Sequence, residues 1–314
     1  MTVFLSTLSQ MAFLLLLILI GYLLSKLHAI PQDTERTLSR LENMVFVPAL
    51  VLGTFMQNFT IEKINIAWQF LLGGFVVGGL SIPAAIFLSR RCSKDGYIQK
   101  IFTYGLSFSN FGFMGNAVVM AIFPDIFMEY LIFVLPLWML IYLWGVPVLL
   151  IPNDGEKKGI KDRLRSFVNP MMIATLVGMV LGLIAPPLPA FFSSAVTTLG
   201  NCMSPIAMLL TGMTIAKINL KSTFTNLSIY AVSFLRLLAY PLVFILLCMV
   251  LKLPQGLAVC AVCSVAMPLG LNTIIVPNAY GRDTSVAAGM SLISHLLSCI
   301  SIPIVFMLFD LLVA

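Results

Sequence analysis

Charge is what this sequence has least of. Of its 314 residues, Lys and Arg supply 18 and Asp and Glu 12, so that 10% are charged while 60% are hydrophobic. Mean hydropathy is +1.04. A soluble domain of this composition would lack the polar coat needed to cover its apolar surface. No stretch is both long and polar enough to form a separate soluble domain. Histidine is scarcer still: only His28 and His295 occur. A zinc motif of the H-E-x-x-H type is therefore absent, and no acidic pair lies deep in an apolar segment, so an enzyme is not expected. The six cysteines form no disulfide framework, since five lie in apolar stretches and Cys92 lies in a basic loop. Cys260 and Cys263, three residues apart in an apolar helix, read as small-residue packing rather than as a redox or metal pair. No metal and no cofactor is expected.

What the chain does have is a series of long apolar runs, each near the 20 or so residues that cross a bilayer. Punctuation by charge, Gly and Pro gives ten spans, at roughly 3–27, 35–58, 66–89, 98–122, 126–151, 167–185, 190–216, 226–251, 256–279 and 284–312. Residues 1–28 read as the first span and not as a signal peptide: no basic n-region precedes a run that is too long and has no clear cleavage site. The expected fold class is thus an all-α membrane protein.

The formal charge of +6 would suit nucleic acid, but its distribution points to a membrane and excludes nucleic acid as the expected partner. Fifteen of the 18 basic residues fall in loops after odd-numbered spans or in the span ends that flank those loops, among them Arg90, Arg91, Lys157, Arg163, Lys217 and Arg282, against only Lys63 and Lys252 after even-numbered ones. Positive loops stay in the cytoplasm. This predicts a multi-pass protein of the cytoplasmic (inner) membrane with both termini outside. The last basic residue, Arg236, lies inside the eighth span.

A repeat is visible at one spacing. Asn43 and Asn201, Pro83 and Pro241, Gly112 and Gly270, and Asp125 and Asp283 are each 158 positions apart, and Pro48 and Pro205 are 157 apart. Each partner falls in the corresponding span of its half. An odd number of spans per half inverts the second half, which is the plan of many secondary transporters. The chain divides accordingly into residues 1–151, a cytoplasmic linker at 152–165 and residues 166–314, giving two inverted five-helix repeats.

Sites in such proteins form where repeat-related helices break near the membrane midplane. Freed backbone N–H and C=O groups cannot face lipid and must face protein, water or substrate. The fourth span offers Ser109, Asn110, Phe111, Gly112, Phe113, Met114, Gly115 and Asn116; the ninth offers Met267, Pro268, Leu269, Gly270, Leu271, Asn272 and Thr273. Gly and Pro weaken a helix, and Asn supplies donors and acceptors. The offset sets Asn110 opposite Pro268. New half-helix N-termini carry partial positive charge and suit an anion, above all a carboxylate. Asn110, Phe111, Gly112, Gly115, Asn116, Pro268, Gly270 and Asn272 are the expected substrate-binding residues; the alternative is that the glycines serve close helix packing and the asparagines interhelical bonds.

These two stretches, with Val276, Tyr280 and Asp283 after the second, resemble the crossover segments of the auxin efflux carrier family, and the likeness extends over all ten spans. The resemblance implies breaks in spans four and nine, a scaffold of spans 1, 2, 6 and 7, a transport domain of spans 3–5 and 8–10, and carriage of organic anions such as auxin, malate or malonate. It also implies a fold related to that of bile acid/sodium symporters. Many plant relatives have Pro directly before the Asn of the first crossover, where this chain has Ser109.

Several residues stay open between two readings. Asn43, Pro48, Asn201 and Pro205 either line a cavity or kink their spans for packing. Arg236 is either an anion attractor or gate, or a structural partner of carbonyls or of Glu42. His295 is a packing residue or a ligand. Ala174, Gly178 and Gly182 form a small-residue stripe suited to close helix contact, within the chain or in a homodimer. Glu42 and His295 are the two groups available for proton coupling. The membrane potential, worth about 2.3 kcal/mol per charge per 100 mV, would suffice to expel a monoanion. The competing function is a sodium-coupled symporter or cation antiporter on a related fold; the absence of an acidic residue from the ninth-span crossover weighs against it.

Overall fold

The structure is a computed structural model and describes residues 2–31, 33–151, 170–217, 226–280 and 282–313. The expected linker at 152–165 lies outside the described residues. Among the described residues twelve helices follow one another: α1 (Thr2–Lys26), α2 (Thr34–Asn58), α3 (Ile61–Cys92), α4 (Gly96–Ser107), α5 (Phe111–Ile122), α6 (Pro124–Leu150), α7 (Pro170–Ile184), α8 (Ala190–Ala216), α9 (Leu227–Leu251), α10 (Gln255–Ala266), α11 (Asn272–Ala279) and α12 (Ser285–Leu312).

Seven of them, α1, α2, α3, α6, α8, α9 and α12, are long and apolar enough to cross a membrane, while α5, α7 and α10 are shorter apolar helices. The fourth expected span is two pieces, α4 and α5, and the ninth is α10 and α11. Each break leaves no continuous helix long enough to cross. Outward faces are apolar, with Leu16 and Leu19 on α1, Leu72 and Leu80 on α3 and Leu176 and Val180 on α7 all exposed. Facing water, so much apolar surface would drive association; lipid tails match it.

Helices meet at glycines. A Cβ on Gly21 of α1 would stand 2.1 Å from the Leu209 carbonyl oxygen of α8, and one on Gly212 of α8 would stand 1.9 Å from the Ile18 oxygen of α1. The two backbones touch, the close approach that small residues permit in membranes. Gly178 and Gly182 of α7 press in the same way on α2 at Leu52, Phe55 and Phe59. Of the two readings of this stripe, the described geometry uses it inside the chain.

The sequence does not announce the π turns. They occupy Glu42–Phe46 in α2, Phe111–Gly115 at the start of α5, Ile141–Leu150 in α6 and Leu235–Ala239 in α9. Three go with a proline: Pro48, Pro147 and Pro241. A proline ring collides with the carbonyl four residues back, and these carbonyls, on Met44, Leu143 and Leu237, all lie within the widened turns. At these prolines the helix is locally widened.

Candidate functional site: two helix breaks joined at a buried crossing

Helix α10 stops at Ala266 because Pro268 follows. The residue before a proline is pushed out of the helical region, and Met267 is extended, with φ −72° and ψ 152°. No proline ends α4. Phe108 is extended, with φ −127° and ψ 111°, and tertiary bonds hold the strand-like piece in place. The Asn110 N–H donates to the Pro268 carbonyl at 2.7 Å. Ser109 and Leu269 pair as an isolated antiparallel bridge. The Ser109 hydroxyl donates to the Ser264 carbonyl at 2.6 Å, and the Leu269 N–H donates to the Ser294 hydroxyl of α12 at 3.2 Å.

Beyond the bridge both chains turn helical again. At α5 the Gly115 N–H reaches the Asn110 carbonyl at 3.0 Å. Aromatic residues of α6 lie directly against this turn. A Cβ on Gly112 would be 2.3 Å from Trp138, and one on Gly115 would be 2.3 Å from the Tyr130 hydroxyl. That hydroxyl donates to the Phe111 carbonyl at 3.0 Å. Phe111 and Trp138 meet edge to face, 5.1 Å between centroids. Asn272 opens α11 and its amide donates to the Tyr104 hydroxyl at 2.9 Å.

The Asn110 amide nitrogen stands 3.3 Å from His295 Nε2. His295 Nδ1 is 2.8 Å from the Ser291 carbonyl. A carbonyl only accepts, so Nδ1 carries the proton there and Nε2 accepts from Asn110.

Arg236 closes the arrangement. Entirely buried at 1% exposure, it donates through its guanidinium to the Leu106 carbonyl at 2.8 Å, to the Ser264 carbonyl at 3.3 Å and, from Nε, to the Met267 carbonyl at 3.3 Å. Leu106 lies in the last turn of α4; Ser264 and Met267 lie at the end of α10. One side chain thus caps both helix ends at the break. Of the two structural partners expected for Arg236, carbonyls or Glu42, the structure shows the carbonyls; neither Glu42 oxygen has a hydrogen-bond partner among the described residues.

The substrate-binding residues expected from the sequence therefore stand together: Asn110, Phe111, Gly112, Gly115, Asn116, Pro268 and Gly270 are all buried at this crossing, with Asn272 at its edge. The second group does not gather. Asn43 is exposed and its amide folds back on the Ser39 carbonyl at 2.7 Å; Pro48 and Pro205 are half-buried. Asn201 alone of them lines a polar cavity of about 370 Å³, together with Thr54, Asn58, Lys63, Asp125 and Glu129. Lys63 and Glu129 form an ion pair on its wall. Tyr104, Tyr130, Trp138, Ser264 and Ser294 were not singled out from the sequence, because a serine or aromatic in an apolar run carries no sign of what it faces.

Seven helices long and apolar enough to cross a membrane, with apolar outer faces, mark a multi-pass membrane protein. The family model described as membrane transport protein matches residues 6–306. The chain belongs to this family, the auxin efflux carrier type of membrane transporter. No curated protein matches it.

Proposed function

We propose that the chain is a secondary transporter of a small organic anion, a carboxylate such as malate, malonate or an auxin-like acid, working by alternating access at the α4–α5 and α10–α11 crossing. In this reading ten spans form two inverted five-helix repeats. Helices α1, α2, α7 and α8 are the scaffold, and α3–α6 with α9–α12 are the moving part. The protein sits in the cytoplasmic membrane with both termini outside.

The observation that carries the reading is Arg236 on both helix C-termini. Each helix end carries roughly half an elementary charge, negative at the C-terminus and positive at the N-terminus. The ends of α4 and α10 together bring about one negative charge, and the guanidinium offsets it. The N-termini of α5 and α11 open at the same crossing with no acidic residue beside them. About one positive charge is left there without a mobile cation, and that favours a carboxylate. Two buried polar atoms at the crossing, Ser107 Oγ and Asn116 Oδ1, have no partner among the described residues and are available to a bound solute or water.

In this conformation Asn110, Asn116, Pro268 and Gly270 are buried and Asn272 is half-buried. The 370 Å³ cavity between α2, α6 and α8 supports an approach from the side carrying Lys63, which the charge bias makes the outer side. The test is a thermal-shift screen of malate, malonate and indole-3-acetate on the purified protein, repeated with Asn110→Ala. One of the acids stabilises the wild type, and the variant binds it at least about tenfold more weakly, the equivalent of one hydrogen bond to a charged group. Equal binding by folded Asn110→Ala would remove the crossing as the site.

A further inference from the structure

Glu42 is 0% exposed, and neither carboxyl oxygen has a hydrogen-bond partner. It opens the π turn of α2, which packs on α7 and on both halves of α8. None of these neighbouring stretches brings a counter-charge: 47–58, 170–184, 190–201 and 203–216 contain no Asp, Glu, Lys, Arg or His. Cys202 between them bonds its sulfur to the Thr198 carbonyl at 3.4 Å. On the preceding turns Arg36 and Arg40 are exposed, and Glu35 is held by Lys217 at 2.6 Å. A carboxylate without counter-charge or hydrogen bond is far costlier to bury than the neutral acid. Glu35 precedes Glu42 by two helical turns on the same face, about 10 Å nearer the end of α2.

We propose that Glu42 is a proton-binding site of the carrier, neutral in this conformation and exchanging its proton with the side of the membrane marked by Glu35 and Lys217. The exchange path in this proposal runs along α2 past the Lys217–Glu35 ion pair, with Glu42 at its inner end. When that ion pair opens, water reaches the carboxyl and the proton leaves as a hydronium ion; its closing requires the proton back. The coupling of this proton to solute movement rests on the anion-carrier reading; the proton site itself does not.

Two measurements separate the two. Infrared spectroscopy of the full chain in lipid nanodiscs, wild type minus Glu42→Gln, shows a protonated-carboxyl C=O band at neutral pH that moves on deuteration. A carboxylate band in its place would overturn the proposal. Should Glu42→Gln fail to fold, isotope-labelled glutamate in the wild type gives the same band or its absence. In proteoliposomes clamped at zero potential, with malate as probe, wild type displaces malate from equilibrium by about tenfold per pH unit for one coupled proton, and Glu42→Gln does so no longer. A variant that follows the pH gradient as the wild type does would overturn coupling through Glu42. Absence of malate flux in the wild type would count against malate as the anion, while the infrared result decides the proton site.

Discussion

Asn110 and Pro268, 158 positions apart in the sequence, share a backbone hydrogen bond of 2.7 Å. Pro268 has no N–H to give, so the bond runs one way, from the first break to the second. Around it stand the Ser109–Leu269 bridge and the Arg236 guanidinium. The two halves of the chain are thus joined where each is broken, and the breaks stabilise one another.

Arg236→Met removes three charge-assisted bonds and leaves the ends of α4 and α10 uncapped. Each buried carbonyl left without a donor costs about 1–3 kcal/mol. Denaturant or thermal unfolding in detergent should show a loss of that size. Arg236→Lys recovers only part of it, because an ammonium cannot present a planar fork to three carbonyls.

Gly115→Ala drives a methyl group into the Tyr130 hydroxyl, with Tyr130 Cζ next at 3.4 Å. Overpacking of this kind costs about 1–3 kcal/mol. Tyr130→Phe removes the obstructing oxygen, so the double variant is more stable than the sum of its single changes. A double-mutant cycle on thermal stability checks this; strict additivity would place the clash elsewhere.

Gly212→Ala meets backbone on both sides, the Ile18 carbonyl at 1.9 Å and the Tyr22 nitrogen at 2.7 Å. No side chain can move to relieve it. Folded yield in membranes should fall steeply, whereas Gly79→Ala, with nothing within 4 Å of the added carbon, leaves it unchanged.

Ser109→Ala loses the bond to the Ser264 carbonyl. The neighbouring break has Pro268 to enforce it, but this one relies on tertiary bonds, so the change costs about 1 kcal/mol and loosens α4 into Phe108. Hydrogen exchange at Phe108 and Asn110 should quicken in the variant.

Much of this was legible in the sequence. Long apolar runs against sparse charge mark the membrane, and the breaks at Asn110 and Pro268 follow from Gly, Pro and Asn where a span should be continuous. Their pairing follows from the spacing of Gly112 and Gly270. What could not be read depends on contacts distant in sequence. Arg236 is visibly anomalous inside a span, but nothing local says that it reaches Leu106, 130 residues away. Pro48 suggests a kink or a cavity wall, but nothing local foretells the widened turn at Glu42–Phe46 before it. Asn43 shares the repeat spacing of Asn201 yet bonds back to Ser39 of its own helix while Asn201 lines the polar cavity, because repeat symmetry fixes a position along a helix better than the direction of one side chain.

The most direct test of the central claim is flux of labelled malate, malonate and indole-3-acetate in proteoliposomes under an imposed membrane potential, comparing wild type, Asn110→Ala and Asn272→Ala. The account predicts potential-driven movement of at least one of these anions by the wild type, reduced about tenfold or more in both variants while both remain folded. Undiminished transport by folded Asn110→Ala and Asn272→Ala would contradict it.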